Sequence, residues 1–360
     1  MNKHAYVVIM AGGIGSRFWP VSRTDKPKQF LDILNTGKTL IQHTYNRFCR
    51  FIRPENILVV THHQYVPLVQ QQLPDLPQAN ILAEPSRKNT APCVAYASFR
   101  IYKRDPHANL IFAPADHLIL EETLFVKTCL EALQFVNGRD ALLTFGIKPT
   151  RPDTGYGYIQ YEMQQSIDNI YKVKTFTEKP DLELAKTFLK SGDFLWNAGI
   201  FAWDVRRILD AFKQLQPEMF ELFQTASDAM LTPDEPEVME MTYAQCTNIS
   251  IDYAIMEKAE NVYVIPSEFG WSDLGTWNSA YENMPRDYLD NAVAARDVLI
   301  VDATRCMVHS SGHRLLVLQG LDNFIVVDTP DVLLICQKDR EQEIKEYVAE
   351  VKRNIGEKYL

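Results

Sequence analysis

The sequence predicts an α/β protein with a mixed, mostly parallel sheet flanked by helices, followed by a small C-terminal β-solenoid-like segment and a closing helix. Three observations support this prediction. In the first half, continuous apolar runs typical of buried parallel strands alternate with helical patterns. After Pro285, short apolar runs recur at an even spacing between turn residues. A charged helical pattern, Asp339–Lys352, follows them.

The first half contains apolar runs with the length of buried strands: Ala5–Met10, Ile57–Val60, Asn80–Ala83, Asn109–Ala113 and Ala141–Phe145. Helical patterns lie between them: Leu40–Phe51, Gln64–Gln72, Ala91–Lys103 and Glu122–Val136. For the third helix, Thr90 can serve as the N-cap and Pro92 stands in the first turn, where its missing N–H costs little. This alternation predicts a parallel sheet covered by helices on both faces.

The middle of the chain is less regular. It predicts strands at Tyr156–Tyr161, Tyr171–Phe176, Gly199–Trp203 and Val262–Ile265. It predicts helices at Asp181–Lys190, Val205–Leu215, Pro217–Met230 and Ile251–Ala259. The stretch Thr232–Glu237 is rich in proline and acidic residues, and we expect it to be a loop.

The C-terminal runs begin near Val298, Met307, Leu315, Phe324 and Val332, at spacings of 9, 8, 9 and 8 residues. Such even spacing predicts a small β-solenoid or a meander. We place a domain boundary near residue 290, with an α/β domain at 1–290 and the β-helix-like segment and helix at 291–360. Because short strands of this number have too little area to be stable alone, we expect the segment to pack on the first domain or to form a dimer contact.

Composition excludes several classes of protein. The chain of 360 residues carries 37 Lys and Arg against 46 Asp and Glu, a net charge of −9, which argues against a nucleic-acid polymer as partner. The sequence contains no run of 18 apolar residues, so no membrane span is predicted. The six cysteines are scattered without a C-x-x-C pair, as expected for reduced thiols in a cytoplasmic protein.

The strongest local signal follows the first predicted strand, in A-G-G-I-G-S-R-F-W-P-V-S-R-T-D-K-P-K-Q-F at residues 11–30. Its glycines, Gly12, Gly13 and Gly15, allow a sharp turn whose backbone N–H groups can surround an anion. Basic residues add to this: Arg17, Arg23, Lys26 and Lys28. The loop is not a Walker A motif, and Phe18 stands where a dinucleotide fingerprint needs glycine. We therefore predict a phosphate site at the carboxyl end of the strand.

Carboxylates follow two other predicted elements. Asp116 in F-A-P-A-D-H comes directly after a buried strand, and Asp273 lies in W-S-D-L-G on a loop before a helical pattern. Either aspartate could simply cap local structure. Together they form the kind of oxygen donor set that Mg²⁺ takes with phosphate oxygens and water. We predict that Asp116 and Asp273 hold Mg²⁺.

Two further groups of polar residues lie near predicted turns. E-P-S-R-K-N-T-A-P, residues 84–92, places Asn89 and Thr90 at a helix N-terminus, where capping alone would explain them. T-G-Y-G-Y-I (154–159), F-T-E-K-P (176–180) and W-N-A-G-I-F (196–201) combine glycines with a carboxylate, a cation and an amide. Such groups can bind sugar hydroxyls and a sugar phosphate, although three unrelated turns would give the same letters.

The pattern G-G-x-G-S-R-x-x-P-x-S…K-P-K-Q-F resembles the signature of sugar-1-phosphate nucleotidylyltransferases. W-P-V-S-R and P-K-Q-F are similar to the variants of the mannose-1-phosphate guanylyltransferases in that family. The resemblance implies a Rossmann-like fold of the nucleotide-diphospho-sugar transferase type, with Arg17 and Lys28 as catalytic cations. It implies nucleotide binding by Ala11, Gly12, Gly13, Gly15, Ser16, Glu84, Asn89, Thr90 and Ala91. It implies sugar-phosphate binding by Gly157, Glu178, Lys179, Asn197 and Gly199.

The activity implied by the resemblance is transfer of GMP from GTP to mannose 1-phosphate, giving GDP-mannose and pyrophosphate with Mg²⁺ as cofactor, in a homodimer. The length resembles the single-function form of the family, since the two-function form carries a further isomerase domain. Two alternatives stay open. One is a sibling enzyme that couples glucose 1-phosphate to dTTP, ATP or UTP. The other is a regulatory paralogue that binds a nucleotide sugar without turnover.

Overall fold

The structure, a computed structural model, describes residues 3–312 and 314–360 and divides into two compact units that interleave in sequence. The first unit comprises residues up to Gly12, Thr44–Ala115 and Ile119–Trp271. The second comprises Gly13–His43, Asp116–Leu118 and Ser272–Leu360. The two units are defined by contacts in space, whereas the boundary near residue 290 rests on the sequence pattern. That boundary stays a prediction.

The strands, in chain order, are β1 (Ala5–Ala11), β2 (Ile57–His62), β3 (Ile81–Glu84), β4 (Asn109–Pro114), β5 (Leu118–Ile119), β6 (Leu142–Ile147), β7 (Tyr158–Ile167), β8 (Ile170–Thr177), β9 (Phe194–Asp204), β10 (Val262–Ser267), β11 (Trp271–Ser272), β12 (Ala292–Ala294), β13 (Val298–Val301), β14 (Met307–Ser310), β15 (Leu316–Gln319), β16 (Phe324–Asp328) and β17 (Leu333–Gln337).

The helices, in chain order, are α1 (Leu40–Cys49), α2 (Val66–Gln72), α3 (Thr90–Arg104), α4 (Glu122–Val136), α5 (Leu182–Ser191), α6 (Val205–Leu215), α7 (Pro217–Ala226), α8 (Glu235–Gln245), α9 (Trp277–Asn283) and α10 (Ile344–Asn354). Short 3-10 turns occur at Ser16–Phe18 and Lys28–Phe30, and a π-helical turn at Asp252–Met256. No helix in the described ranges is long and apolar enough to cross a membrane.

A large mixed sheet forms the centre of the first unit. Across the described residues its strand order is β3-β2-β1-β4-β9-β6-β10-β8-β7. The pairs β3–β2, β2–β1, β1–β4 and β6–β10 are parallel, as the continuous apolar runs predict. The other pairs are antiparallel, because β9 runs against both β4 and β6, and β7 and β8 form a hairpin. The α/β prediction with a mixed sheet is confirmed, with a larger antiparallel share than the sequence suggested.

Helix α8 corrects the sequence-based prediction of a loop at Thr232–Glu237. The helix begins at Glu235, and Pro236 lies in its first turn, where proline is tolerated. Glu235 is buried and accepts hydrogen bonds from the Tyr96 hydroxyl (2.7 Å) and from Arg100 Nε (2.7 Å). A buried acidic residue gives no apolar signal, so its helix was hidden in the pattern.

The C-terminal segment is a β-solenoid, not a meander. Strands β12, β14 and β16 pair in parallel, and β13 pairs in parallel with β15. Val298 pairs with Leu316 and Met307 with Ile325, so two successive short strands make one coil. Strand β17 then runs antiparallel to β16 and ends the stack. The interior between the coils is filled by buried side chains of Cys306, Val308, Leu316, Leu318 and Val326.

The core of the second unit joins the beginning and the end of the sequence. Phe18 and Trp277 are fully buried in it, and their rings lie 4.9 Å apart in an edge-to-face contact. Solenoid residues Met307, Ile325 and Val327 belong to the same buried cluster. The expected packing of the C-terminal segment therefore occurs within this unit, beneath the residues that follow the glycines. The six cysteines are free thiols, five of them buried.

We expect Ile325→Ala to lower the free energy of unfolding by about 2–5 kcal/mol, because it leaves a cavity in the second-unit core. Ile335→Ala is the matched control: Ile335 is 51% exposed on the neighbouring strand β17. The control should lose no more than about 1 kcal/mol, from strand propensity alone. Urea unfolding of both variants measures the difference, and equal losses would contradict this core.

Candidate active site

The glycine loop after β1 is held in shape by the second half of its own motif. Gly15 has φ +70°, and a Cβ there would collide with the Lys28 side chain. The Ser22 hydroxyl donates to the Ile14 carbonyl (2.6 Å), and Gln29 Nε2 donates to the Gly13 carbonyl (3.0 Å). These contacts explain why serine and the K-P-K-Q-F segment accompany the glycines: they fix the loop backbone.

Lys28 is buried, only 4% exposed, and its ammonium group is fully engaged. Nζ lies 2.8 Å from Asp116 Oδ2 and donates to the carbonyl oxygens of Asp273 (2.8 Å) and Leu274 (2.9 Å). An ammonium group has three protons, and these acceptors match them. Lys28 therefore ties the loop, Asp116 and the turn at Asp273 together at one point of the second unit.

Asp116 and Asp273 line one concavity of about 290 Å³ in the second unit. Burial would raise the pKa of Asp116, but the charges of Lys28 and His117 outweigh it and hold that pKa below its ordinary value. Asp273 Oδ1 accepts from the Gly275 N–H (3.1 Å). Asp116 is thus ionised at neutral pH and available to a cation.

This donor set fits a hard divalent ion that shares its coordination with substrate and water. The described residues hold no cluster of three or more acidic, histidine or cysteine ligands. Mg²⁺ does not need one, since it is commonly bound by one or two carboxylates plus phosphate oxygens and water. The neighbouring His117 is a poor ligand for such an ion, because Mg²⁺ favours oxygen.

Cations line the same concavity. Arg17 follows the glycines, and its Nε is buried without a hydrogen-bond partner among the described residues. Lys345, on α10, also lines it. Lys345 was missed in the sequence because it lies in an ordinary charged helical pattern, far along the chain from the glycine motif. A concavity with backbone N–H groups, cations and paired carboxylates is suited to a phosphate ester with its metal.

In the first unit, the glycine loop starts beside a buried carboxyl. Glu84 ends β3, is 5% exposed, and accepts a hydrogen bond from the Tyr243 hydroxyl (3.0 Å). A Cβ on Gly12 would stand 3.6 Å from Glu84 Oε2, so the backbone of Gly12 passes close to this carboxyl. Burial raises the pKa of Glu84 to about 7, against the effect of the Tyr243 hydrogen bond.

The neighbouring predicted nucleotide residues cap α3 and tie it to another segment. Asn89, at φ +68°, is the N-cap in place of the predicted Thr90: its side chain accepts from the Thr90 N–H (2.9 Å), and Thr90 is the first residue of the helix. Thr90 Oγ1 accepts from the Ile251 N–H (2.9 Å), and the Ala91 N–H donates to the Ile249 carbonyl (3.1 Å). Capping therefore occurs here, and the expected nucleotide contact stays a prediction.

The predicted sugar-phosphate residues come together in the first unit. Asn197 donates through its backbone N–H to the Gly157 carbonyl (2.8 Å), and its Oδ1 accepts from the Gly199 N–H (3.1 Å). Glu178 fills the space beside Gly157, where any Cβ would collide with its carboxylate. Lys179 Nζ lies 2.6 Å from Glu178 Oε1. Glycine at position 157 thus lets the end of the flexible Glu178 side chain lie directly against the backbone.

Asp252 is a member of this cluster that the sequence analysis missed. Asn197 Nδ2 donates to Asp252 Oδ1 (2.8 Å), while Asn197 Oδ1 accepts from Thr144 Oγ1 (2.8 Å). Burial and the nearby Glu178 carboxylate raise the pKa of Asp252 to about 6. The only sequence signal was one acidic residue inside an apolar helical run, which is usually a solvated position.

Aromatic rings form a wall in the same unit. Tyr156 lies edge-on to both Trp196 (5.1 Å) and Trp271 (5.2 Å), measured between ring centroids. The Arg151 guanidinium stands 5.3 Å from the Trp196 ring. Apolar faces beside fixed polar groups are the usual composition of a small-molecule site.

Fold and site together define an enzyme of phosphate-ester chemistry, and comparison with known proteins gives its family. A family model described as nucleotidyl transferase matches residues 6–289, and one described as MannoseP isomerase/GMP-like beta-helix domain matches residues 296–351. The mannose-1-phosphate guanylyltransferase of Salmonella montevideo is 36% identical over 353 residues, 96% of this chain and 73% of that protein. Its Escherichia coli namesake is 33% identical over 357 residues, 98% and 75% of the two chains.

A solved structure from Thermus thermophilus, described as mannose-1-phosphate geranyltransferase, matches with a TM-score of 0.87 and 28% identity. The match covers 97% of this chain and 99% of the other. The chain therefore belongs to the nucleotidyl transferase family and is a nucleotidyltransferase. The resemblance noted in the loop motif and the C-terminal β-helix are both confirmed.

We expect Glu84 to make stability fall as pH rises. Its folded pKa of about 7 lies above the ordinary value of 4.5, so its stabilising contribution is complete below pH 4.5 and is lost as pH rises through 7. Glu84→Gln keeps an acceptor for Tyr243 but cannot ionise. The variant should gain up to about 3 kcal/mol over the wild type between pH 5 and pH 8.

Urea unfolding at the two pH values measures this change. Glu240→Gln, which neutralises an exposed glutamate on α8, should show no such pH-dependent gain. A Glu84→Gln variant whose difference from wild type is the same at pH 5 and pH 8 would contradict the raised pKa.

Proposed function

We propose that the chain transfers GMP from GTP to α-D-mannose 1-phosphate, giving GDP-mannose and pyrophosphate. The concavity of the second unit carries this proposal, because Asp116, Asp273 and the cations Arg17 and Lys28 line a single space. Charges of both signs in one space are what a metal–triphosphate complex requires. The names of the curated relatives support guanine and mannose as the two specificities, and the description of the solved structure supports mannose 1-phosphate.

The nucleotide is assigned to the glycine loop and to the segment that follows β3. Backbone N–H groups of residues 11–16 surround the phosphates, as anion-binding loops do. Glu84, with Asn89, Thr90 and Ala91, is assigned to the base. The Watson–Crick edge of guanine presents N–H donors, and a carboxylate is their natural acceptor. The polar segment at the start of α3 supplies the remaining contacts.

Asp116 and Asp273 would hold Mg²⁺ through their carboxylate oxygens. The ion, when bound, supplies charge neutralisation on the phosphate oxygens. Lys28 is proposed as a catalytic cation with Arg17, and its contacts with the Asp116 side chain and the Asp273 carbonyl also keep both aspartates in position. Arg17, whose Nε has no hydrogen-bond partner in the described residues, stabilises negative charge on the α-phosphate and the leaving group.

The sugar phosphate is assigned to the first-unit cluster. Glu178 and Asn197 bond sugar hydroxyls, Lys179 binds the phosphate, and Gly157 and Gly199 allow the backbone to approach the ring. Two observations support this assignment. Glu178 and Lys179 form an ion pair that can open to a ligand, and Lys179 is largely exposed. Asn197 Oδ1 accepts within the protein and Nδ2 donates one of its two protons to Asp252, which fixes the orientation of the amide and leaves the second N–H for a sugar hydroxyl.

The chemistry needs no covalent enzyme intermediate and no general base. A phosphate oxygen of the sugar phosphate, already an anion at neutral pH, attacks the α-phosphorus. The new P–O bond forms as the bond from the α-phosphorus to the bridging oxygen breaks, and pyrophosphate leaves with the electron pair. Catalysis then consists of holding the reactants in line and neutralising charge.

We also propose that residues 1–290 form the catalytic domain and residues 291–360 a β-helix-like segment, and that the protein is a homodimer in the cytoplasm. For the homodimer, the support is a row of exposed apolar side chains on β13 and β15. Leu299, Val301 and Val317 are 51%, 39% and 58% exposed, and a second subunit would remove this surface from water.

The decisive experiment is a pyrophosphate-release assay. Each of GTP, ATP, UTP and dTTP is paired with mannose 1-phosphate and with glucose 1-phosphate, in the presence of Mg²⁺. We expect GTP with mannose 1-phosphate to give the highest kcat/KM. The identity of the product is checked by mass spectrometry as GDP-mannose.

Other outcomes would replace the proposal. Preference for glucose 1-phosphate with ATP, UTP or dTTP would indicate a sibling enzyme. Tight binding of a nucleotide sugar without release of pyrophosphate from any pair would indicate a regulatory protein.

We expect Asp273→Asn to raise the Mg²⁺ concentration for half-maximal activity by about tenfold or more, because loss of even an outer-shell partner commonly weakens metal sites 10- to 100-fold. The matched control is Asp297→Asn, at an exposed aspartate between β12 and β13. The control should leave the Mg²⁺ titration unchanged. An unchanged titration in Asp273→Asn would reduce Asp273 to a structural role at Gly275.

A further inference from the structure

The C-terminal helix α10 contributes a cation to the phosphate concavity. Lys345, in the first turn of α10, lines the same space as Arg17, Lys28, Asp116 and Asp273. All five residues belong to the second unit. Lys345 is exposed and makes no ion pair with the described residues. A flexible cation without an anionic partner is thus placed beside the loop that binds phosphate.

The structure fixes the position of this helix from several sides. Ile344 is completely buried, and Tyr347, Val348 and Val351 pack against the core cluster that contains Phe18 and Trp19. On the loop side, Trp19 Nε1 donates to the Tyr359 carbonyl (2.7 Å). Lys345 therefore directly follows a buried residue. The packing of α10 against the core that contains Phe18 and Trp19 fixes the position of the helix beside the loop that carries Arg17.

A second link joins the loop to the solenoid. Arg23 forms a two-point contact with Asp331, at 2.5 and 2.8 Å, and hydrogen bonding to Arg23 lowers the pKa of Asp331 to about 2. Just before α10, Glu341 Oε2 accepts from the N–H of Asn278 in α9 (2.7 Å). The first contact ties the loop segment to the turn after β16, and the second ties the segment before α10 to α9.

The charges around Lys345 are unbalanced without an anion. The Arg17 guanidinium lowers the pKa of Lys345, because two like charges lie close together, and partial burial adds to the effect. The acidic groups near this pair are already engaged: Glu341 interacts with Arg17 and accepts from Asn278, and Asp116 in the concavity pairs with Lys28. Arg17 Nε is buried and has no hydrogen-bond partner among the described residues. An anion with several negative charges would offset the repulsion between Arg17 and Lys345, and it would supply hydrogen-bond acceptors to the Arg17 guanidinium.

We propose that Lys345 is a phosphate-binding residue of the active site, contributed by the C-terminal segment, and that with Arg17 it holds the phosphates of the nucleoside triphosphate and the pyrophosphate formed from them. This inference depends on the proposed function for the identity of the anion. The sugar phosphate is the weaker assignment, because Lys179 supplies its cation in the first unit. Lys345 thus gives the C-terminal helix α10 a part in substrate binding.

The test compares Lys345→Ala, Lys345→Arg and the control Lys352→Ala. Lys352 lies on the same helix, outside the concavity, in an exposed ion pair with Glu357. We expect Lys345→Ala to raise the KM for GTP, and the KM for pyrophosphate in the reverse reaction, by about 10- to 100-fold, the usual range for a hydrogen bond to a charged group. Lys345→Arg should restore most of the loss. The KM for mannose 1-phosphate should change less than twofold.

Two further measurements separate binding from folding and from the proposed function. The thermal midpoint of Lys345→Ala should equal or exceed that of the wild type, since the substitution removes like-charge repulsion. Calorimetric titration with Mg²⁺-pyrophosphate tests the site without turnover, so it remains decisive if no nucleotide–sugar pair reacts. Equal pyrophosphate affinity in Lys345→Ala and wild type, or no binding by either, would overturn the inference. A KM effect confined to the sugar phosphate would overturn it as well.

Discussion

Lys28 places a positive charge in the interior of the second unit, where its Nζ meets the Asp116 carboxylate and the carbonyls of Asp273 and Leu274. Taking an ammonium group out of water is expensive unless acceptors replace the lost hydration. The three acceptors do this, and each comes from a part of the chain that also contributes to the concavity. Removing one partner would leave the others buried with an uncompensated charge, which commonly costs about 3–5 kcal/mol. One ammonium group therefore couples the stability of the unit to the geometry of its proposed metal ligands.

The same coupling extends to the solenoid. Its strands supply Met307, Ile325 and Val327 to the core that supports Phe18, and Phe18 follows directly on Arg17. A short stack of parallel strands has too little area to stand alone, and here it is completed by the residues that follow the glycine loop. The solenoid gains a core and the loop gains a rigid base. The glycine-loop motif and the C-terminal strand repeat therefore depend on each other for one shared core.

Much of the fold was accessible from local sequence because local forces decide it. The apolar run of β1 and the first-turn proline of α3 are set by residues close together in the chain, and both were predicted correctly, whereas the N-cap of α3 is Asn89 and not Thr90. Helix α8 was missed because Glu235 is buried through partners more than a hundred residues away. The burial of Lys28 and the position of Lys345 depend on tertiary contacts in the same way. The sequence motifs were sufficient to predict Asp116 and Asp273 as site residues. Only the tertiary fold shows that Lys345 of α10 lines the same concavity.

The interleaving of the two units also governs how the protein is made. A chain synthesised from its N-terminus produces β1 and the glycine loop early, whereas the rest of the second unit begins at Ser272. Until those residues leave the ribosome, Phe18 and Trp19 have no core to enter, and Lys28 lacks the carbonyls of Asp273 and Leu274. Before that point the loop lacks the core that supports it, although all strands of the large first-unit sheet have already been made. Competence to bind phosphate therefore arises only after Ser272 and the residues that follow it have been synthesised, and chains terminated before Ser272 lack it.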